Sequence, residues 1–204
     1  MIEFLFSQYK EYSNFLIALE LIAVVFGVIS VLFARKNNIL VYPTGLVSTI
    51  LYVYILFEFQ LYGDLIINFY YTIMSFLGWY LWAKTKDGND EFPISNINRK
   101  EILVSTLIFT ITLTFVALVY HFFDKFTHWT AYVDALTTGL FFVGMWLMAK
   151  RKIENWILWI IADAISIPLY FYKGLTFSSF QFILFTIIAI LGYKEWKRFL
   201  QKTI

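Results

Sequence analysis

Seven stretches of mostly apolar residues, at about 14–34, 39–58, 61–83, 101–122, 131–149, 155–172 and 175–195, follow one another with little between them. Each is long enough to cross the ~30 Å hydrocarbon layer of a bilayer, for which a helix needs about 17–25 residues. The layer holds no water to satisfy backbone N–H and C=O groups, so a stretch of this length crosses it as a helix. Composition agrees: the chain is 60% hydrophobic and only 15% charged, against about 25% charged in soluble domains. A soluble fold of 204 residues has no interior large enough to hide that surface. The sequence predicts an all-α membrane protein with seven transmembrane helices.

Charge sets the expected orientation. Of the sixteen Lys and Arg residues, thirteen lie after spans 1, 3 and 5 or in the C-terminal tail; only Lys10, Lys125 and Lys173 lie on the other side. Positive charge stays cytoplasmic, so the N-terminus is expected outside and the C-terminus inside. The opening MIEFLFSQYKEY has neither a cationic leader nor a small-residue cleavage site. Residues 1–13 are expected to be an interfacial segment. No basic block suggests nucleic acid, and the absence of cysteine excludes disulfides and thiolate metal sites.

The chain also repeats itself. At an offset of 114 residues Glu20 falls on Asp134, Gly78 on Gly192 and Trp82 on Trp196. Tyr42, Gly45, Thr49 and Tyr52 then match the spacing of Trp156, Trp159, Asp163 and Ser166. An offset of 118 instead aligns LYVY (51–54) with LYFY (169–172), and the sequence leaves the register open between the two. The expected organisation is a three-helix repeat at 14–83, a loop and linker helix (101–122) within 84–130, and a second repeat with a cytoplasmic tail at 131–204. Span 4 inverts the chain and makes the two triplets parallel, a recognised transporter plan. Two such triplets face to face would enclose a pathway.

Polar residues line single faces of these spans. With 3.6 residues per turn, Trp156, Trp159, Asp163, Ser166 and Tyr170 share an arc of about 80°. Span 3 aligns Asp64, Asn68, Tyr71, Ser75 and Trp82 in the same way; span 2 offers Tyr42, Gly45, Thr49 and Tyr52, and span 7 Ser178 and Gln181. Such stripes point inward to a cavity. The small hydroxyls Ser48, Thr49, Ser75 and Ser166 fit interhelical bonding equally well. Trp79, Trp82, Trp146 and Trp196, near cytoplasmic ends, read as an aromatic belt. Pro43 and Pro168 are expected to interrupt spans 2 and 6. Asp163 is the residue least easily explained by packing, because a carboxylate at mid-bilayer costs roughly 2.5–3.5 kcal/mol on insertion scales and no Lys or Arg lies at its depth.

A slot lined by aromatic faces, amides, hydroxyls and one carboxylate suits a flat, polar, cationic molecule. The sequence contains no P-loop, HExxH, GxSxG or TVGYG motif. His121 and His128 lie in the outer loop, and Glu20, Asp64 and Asp134 are isolated, so neither a metal nor a cofactor is expected. A membrane-embedded enzyme or a ligand sensor is the alternative class of reading.

The stretches ENWILWIIADAISIPLYFYKGL (154–175), FSSFQFILFTIIAILGYKEWKR (177–198) and YGDLIINFYYTIMSFLGWYLW (62–82) resemble the PnuC family of bacterial vitamin transporters, whose usual substrate is nicotinamide riboside. The resemblance covers about residues 15–200. It implies a fold similar to that of the SWEET sugar transporters and facilitated diffusion across the bacterial inner membrane, drawn onward by a cytoplasmic nicotinamide riboside kinase. It also implies a homotrimer. On this reading Trp156 and Trp159 stack on the pyridinium, while Asn68, Gln181 and Asp163 hold the ribose or the positive charge. Tyr71, Tyr42, Thr49, Tyr52 and Ser166 complete the expected lining. Relatives that take thiamine or riboflavin leave another vitamin as the alternative substrate.

Overall fold

In the computed structural model, residues 14–58, 62–86, 89–90, 92–122, 129–172 and 176–202 are described. The interfacial segment expected at 1–13 lies outside them. Among the described residues, seven helices stand where hydropathy places them: α1 (Asn14–Arg35), α2 (Val41–Glu58), α3 (Tyr62–Ala83), α4 (Arg99–Phe122), α5 (Thr130–Ala149), α6 (Glu154–Tyr172) and α7 (Thr176–Lys202). Five of them, α1, α2, α4, α5 and α6, are long and apolar enough to cross a membrane. α4 illustrates it: Leu103, Leu107, Ile111 and Leu118 are all exposed, an apolar surface of the kind that faces a membrane or a partner.

The chain divides into two compact units at Glu91 and Phe92. In the first, α2 packs against both α1 and α3; in the second, α6 packs against α5 and α7, and α4 lies on α5. The packing inside each unit resolves the repeat register. Tyr42 of α2 lies on Gly78 of α3, and Trp156 of α6 lies on Gly192 of α7. Tyr42 meets the Trp82 ring edge-on at 5.1 Å, and Trp156 meets the Trp196 ring edge-on at 5.6 Å. Each pair of contacts is related by 114 residues, not 118.

The turns agree. Among the described residues, Asn37 and Arg151 are the non-glycine residues with positive φ, 51° each. The Asn37 N–H donates to the Ala34 carbonyl and the Asn38 N–H to Phe33, both at 3.0 Å; the Arg151 N–H donates to Met148 and the Lys152 N–H to Leu147, both at 2.9 Å. This nested pair of bonds around a left-handed residue caps a helix C-terminus by satisfying its last carbonyls. Asparagine tolerates that backbone conformation better than arginine. Arg151 has compensation: it is buried, and its Nη1 donates to the Phe92 carbonyl at 3.0 Å.

Three expectations need correction. Trp82 and Trp196 are 2% and 0% exposed; they are packing residues of their own units and not belt residues. Pro43 does not interrupt α2, because it lies in the first turn, where a missing N–H leaves no helix bond unmade. Pro168 does lie inside α6, which nevertheless continues to Tyr172; the Ser179 hydroxyl of α7 donates to the neighbouring Ile167 carbonyl at 2.8 Å. Third, the segment 84–100 is more than a loop. Thr85–Lys86 pairs antiparallel with Asn89–Asp90, and Ser95 bridges to Lys152 in the second unit. There the Ser95 N–H donates to the Arg151 carbonyl and the Ile153 N–H to the Ser95 carbonyl, each at 3.1 Å. Glu154 accepts from the Ile97 N–H at 3.0 Å, and Lys152 pairs with Glu101 at 3.1 Å. Asn98 and Glu101 exchange backbone-to-side-chain bonds at 2.9 Å in both directions, the reciprocal capping that starts α4.

The ring-on-glycine contacts yield a stability prediction. A Cβ at position 192 would sit 2.7 Å from Cζ2, Cη2 and Cζ3 of Trp156, and one at 78 would overlap Cε1, Cζ and the hydroxyl oxygen of Tyr42. Gly78→Ala and Gly192→Ala should each destabilise the protein by about 1–3 kcal/mol. Gly27→Ala, which meets only the Ser48 hydroxyl at 3.0 Å, should cost clearly less. Thermal unfolding in detergent of the three variants decides this.

Candidate functional site

The α6 stripe is the most concentrated set of expected site residues. Trp156 is 0% exposed, Ser166 1% and Asp163 3%, while Trp159 and Tyr170 are half-buried. Trp159 and Asp163 are one helical turn apart and so share a face. The Trp156 and Trp159 rings meet edge-on at 5.4 Å and 90°. Trp156 thus has Gly192 beneath it and Trp159 and Trp196 at its edges. The Trp156 indole is fully buried, so in this structure the two rings of the expected pair are not equally accessible. Trp159 is the ring with surface left.

Buried polar atoms cluster on the same helix. Among the described residues, Asn155 Oδ1, Trp156 Nε1 and Ser166 Oγ have no hydrogen-bond partner, and no ion pair or hydrogen bond reaches the Asp163 carboxylate. Buried polar groups are nearly always paired, so each exception calls for an explanation. A carboxylate without a partner, next to an aromatic ring, is the arrangement that a cationic ring would complete.

α7 adds a neighbour that sequence reading missed. Phe182 lies 4.9 Å from the Tyr170 ring and 6.1 Å from Phe141, nearly parallel to the latter. A phenylalanine in an apolar span reads as lipid contact, so nothing in the sequence marked it. The expected residue beside it, Gln181, is half-buried. The side chain of Ser178 lies outside the described residues.

In the first unit the expected residues form a different surface. Tyr42 is buried by its contacts with Gly78 and Trp82, so it too packs rather than lines. Thr49, Tyr52, Asn68 and Tyr71 are half-buried. The Thr49 and Thr72 hydroxyls are hydrogen-bonded at 3.0 Å, and the Thr72 hydroxyl lies 2.9 Å from the Asn68 carbonyl. Thr72 was not singled out in the sequence because a lone threonine in a span usually bonds its own helix. The Tyr70 and Tyr71 rings are tilted together at 6.0 Å. The Asp64 side chain is outside the described residues. Among those residues, no group of His, Asp and Glu could hold a metal ion.

Comparison with known proteins bears on what these surfaces serve. A family profile described as nicotinamide mononucleotide transporter matches residues 17–198. The nicotinamide riboside transporter PnuC of Escherichia coli (strain K12) is 24% identical over 205 residues, covering 87% of this chain and 84% of that protein. The riboflavin/roseoflavin transporter RibM of Streptomyces davaonensis is 24% identical over 124 residues, covering 58% of this chain and 56% of that protein. The fold is similar to the crystal structure of the vitamin B3 transporter PnuC, with a TM-score of 0.67 and 22% identity over 98% of this chain and 90% of the other.

The hydroxyl pair in the first unit can be tested directly. Thr72→Val should cost about 1 kcal/mol of stability, the net worth of one such bond. Thr49→Val in the same background should then add little. Unfolding midpoints of the two single variants and the double variant would show the non-additivity.

Proposed function

The chain belongs to the nicotinamide mononucleotide transporter family, and on that premise we propose that it takes up nicotinamide riboside by facilitated diffusion. It is a multi-pass membrane transporter and not an enzyme. The observation that carries the substrate assignment is the buried Asp163 carboxylate, unpaired among the described residues and one turn from the half-buried Trp159. A pyridinium ring brings both what an indole stacks on and the positive charge a buried carboxylate lacks. In this reading Trp159 takes the ring, Asp163 its charge or the ribose hydroxyls, and Ser166 and Gln181 the remaining polar atoms. Within the first unit, Thr49, Tyr52, Asn68 and Tyr71 form a second surface of hydroxyls and an amide suited to a sugar. Trp156 and Tyr42 act by packing.

Several finer points belong to the same proposal. The protein resides in a bacterial inner membrane with its N-terminus outside, a reading that the Lys and Arg distribution supports. Residues 14–83 and 131–204 are its two three-helix repeats, with 84–130 as the connection. A cytoplasmic kinase that phosphorylates the riboside keeps its inside concentration low and draws uptake onward. The protein assembles as a homotrimer and uses no cofactor. The likeness to a riboflavin/roseoflavin transporter favours one second reading, uptake of another vitamin such as riboflavin or thiamine by the same mechanism.

Proteoliposomes holding the purified protein, with no ion gradient, should equilibrate labelled nicotinamide riboside saturably. Unlabelled riboside should compete, and thiamine and riboflavin should not. Competition by either of them would transfer the assignment to that vitamin. Asp163→Asn should fold normally and lose about 1.5–3 kcal/mol of substrate affinity, the usual worth of a bond to a charged group. Unchanged affinity in that variant would show that Asp163 does not meet the substrate.

A further inference from the structure

Gly144, on α5, lies under the ring of Trp159. A Cβ there would overlap Nε1 and Cδ1 of the indole and would stand 3.4 Å from Cε2. The pyrrole edge of Trp159 therefore rests on bare α5 backbone. The ring also meets that of Trp156 edge-on at 5.4 Å, and Trp156 is itself packed against Gly192 and Trp196.

The first unit shows what this crossing looks like without the ring. At the offset of 114 residues, Ser30 occupies the place of Gly144 and Gly45 that of Trp159. Ser30 is buried, donates to the Val41 carbonyl at 2.7 Å and would stand 2.9 Å from a Cβ on Gly45. Both crossings are close. One fills the gap with a serine from the outer helix, the other with an indole from the central helix. A helix crossing of this kind tolerates a side chain at the Gly144 position, as Ser30 demonstrates. What it does not tolerate is that side chain together with Trp159.

We propose that Gly144 is a positioning residue that seats the Trp159 indole, and that the absence of a side chain at 144 sets the angle at which the protein presents a ring to its substrate. Substitution at 144 turns the indole out of its seat without touching the substrate. The inference rests on the reading that Trp159 contacts a riboside, and two measurements keep the parts separable.

The first needs no substrate. In a double-variant cycle on the purified full chain, Gly144→Ala should lower the unfolding midpoint clearly in the parent and little or not at all in Trp159→Ala. Recovery of folding in the double variant would show the same coupling if Gly144→Ala alone fails to fold. Equal effects in both backgrounds would overturn the seat. The second measurement is riboside binding and uptake. Gly144→Ala should weaken binding about tenfold, with a smaller change in maximal rate, because a misplaced ring loses stacking. Gly139→Ala is the control: it lies on the same helix, and its Cβ would stand 2.8 Å from the Phe109 ring of α4. It should cost stability but leave riboside affinity unchanged. Equal loss of affinity in the two variants, or none in Gly144→Ala, would overturn the proposal. If the parent binds no riboside, the substrate assignment fails, and the ligand-free cycle still decides whether Gly144 seats the ring.

Discussion

An aromatic ring packed against a glycine is the contact on which each unit depends. In water the hydrophobic effect would hold helices together; in lipid it does not, because the surrounding tails are as apolar as the helices themselves. Cohesion must come from close packing, and close packing needs places where a neighbouring side chain can reach the backbone. Gly78 and Gly192 are such places, filled by Tyr42 and Trp156. The edge-on contacts with Trp82 and Trp196 add the favourable geometry of ring pairs, worth about 0.5–1.5 kcal/mol beyond buried area. Glycine and tryptophan are four residues apart in both cases, so one helix face supplies the floor and the wall for the same ring.

The turn before each central helix is fixed just as tightly. Asn37 and Arg151 take the same left-handed conformation, with the same nested bonds to the end of the preceding helix. In the second unit this turn also holds the segment from Phe92 to Ile97, through the Arg151 guanidinium, the Lys152 bridge and the Glu154 carboxylate. The strain of a left-handed arginine is thereby offset by the bonds this turn makes. A polar connection thus becomes ordered structure leading into α4.

Much of this was legible in the sequence. Helix number and position follow from hydropathy, because a bilayer admits one kind of segment and the spans had to be long and apolar. The repeat was visible in Gly78, Trp82, Gly192 and Trp196, but its register was not, since LYVY and LYFY offered a rival alignment that only side-chain contacts could dismiss. The burial of Trp82 and Trp196 was misjudged for a physical reason. A tryptophan near a span's end suits the membrane interface and a glycine-floored seat equally, and sequence position does not distinguish them. What would have helped is the glycine four residues before Trp82 and Trp196, read as a floor for a ring. Phe182 and Thr72 left no signal at all, because their types are ordinary in apolar spans.

The two units use one packing scheme to present different chemistry. Where α2 has Gly45 and Thr49, α6 has Trp159 and Asp163; where α1 has Ser30, α5 has Gly144. Only the exchange of small for large across a fixed crossing is needed to turn a surface of hydroxyls into one with a ring and a charge. The backbone scaffold is indifferent to that exchange, since its seats at Gly78 and Gly192 lie elsewhere on the central helices' contacts. Binding chemistry can therefore diverge at the crossing while the ring-on-glycine contacts keep each unit folded. A family built this way can hold its fold at low sequence identity and still differ from member to member in the molecule it takes.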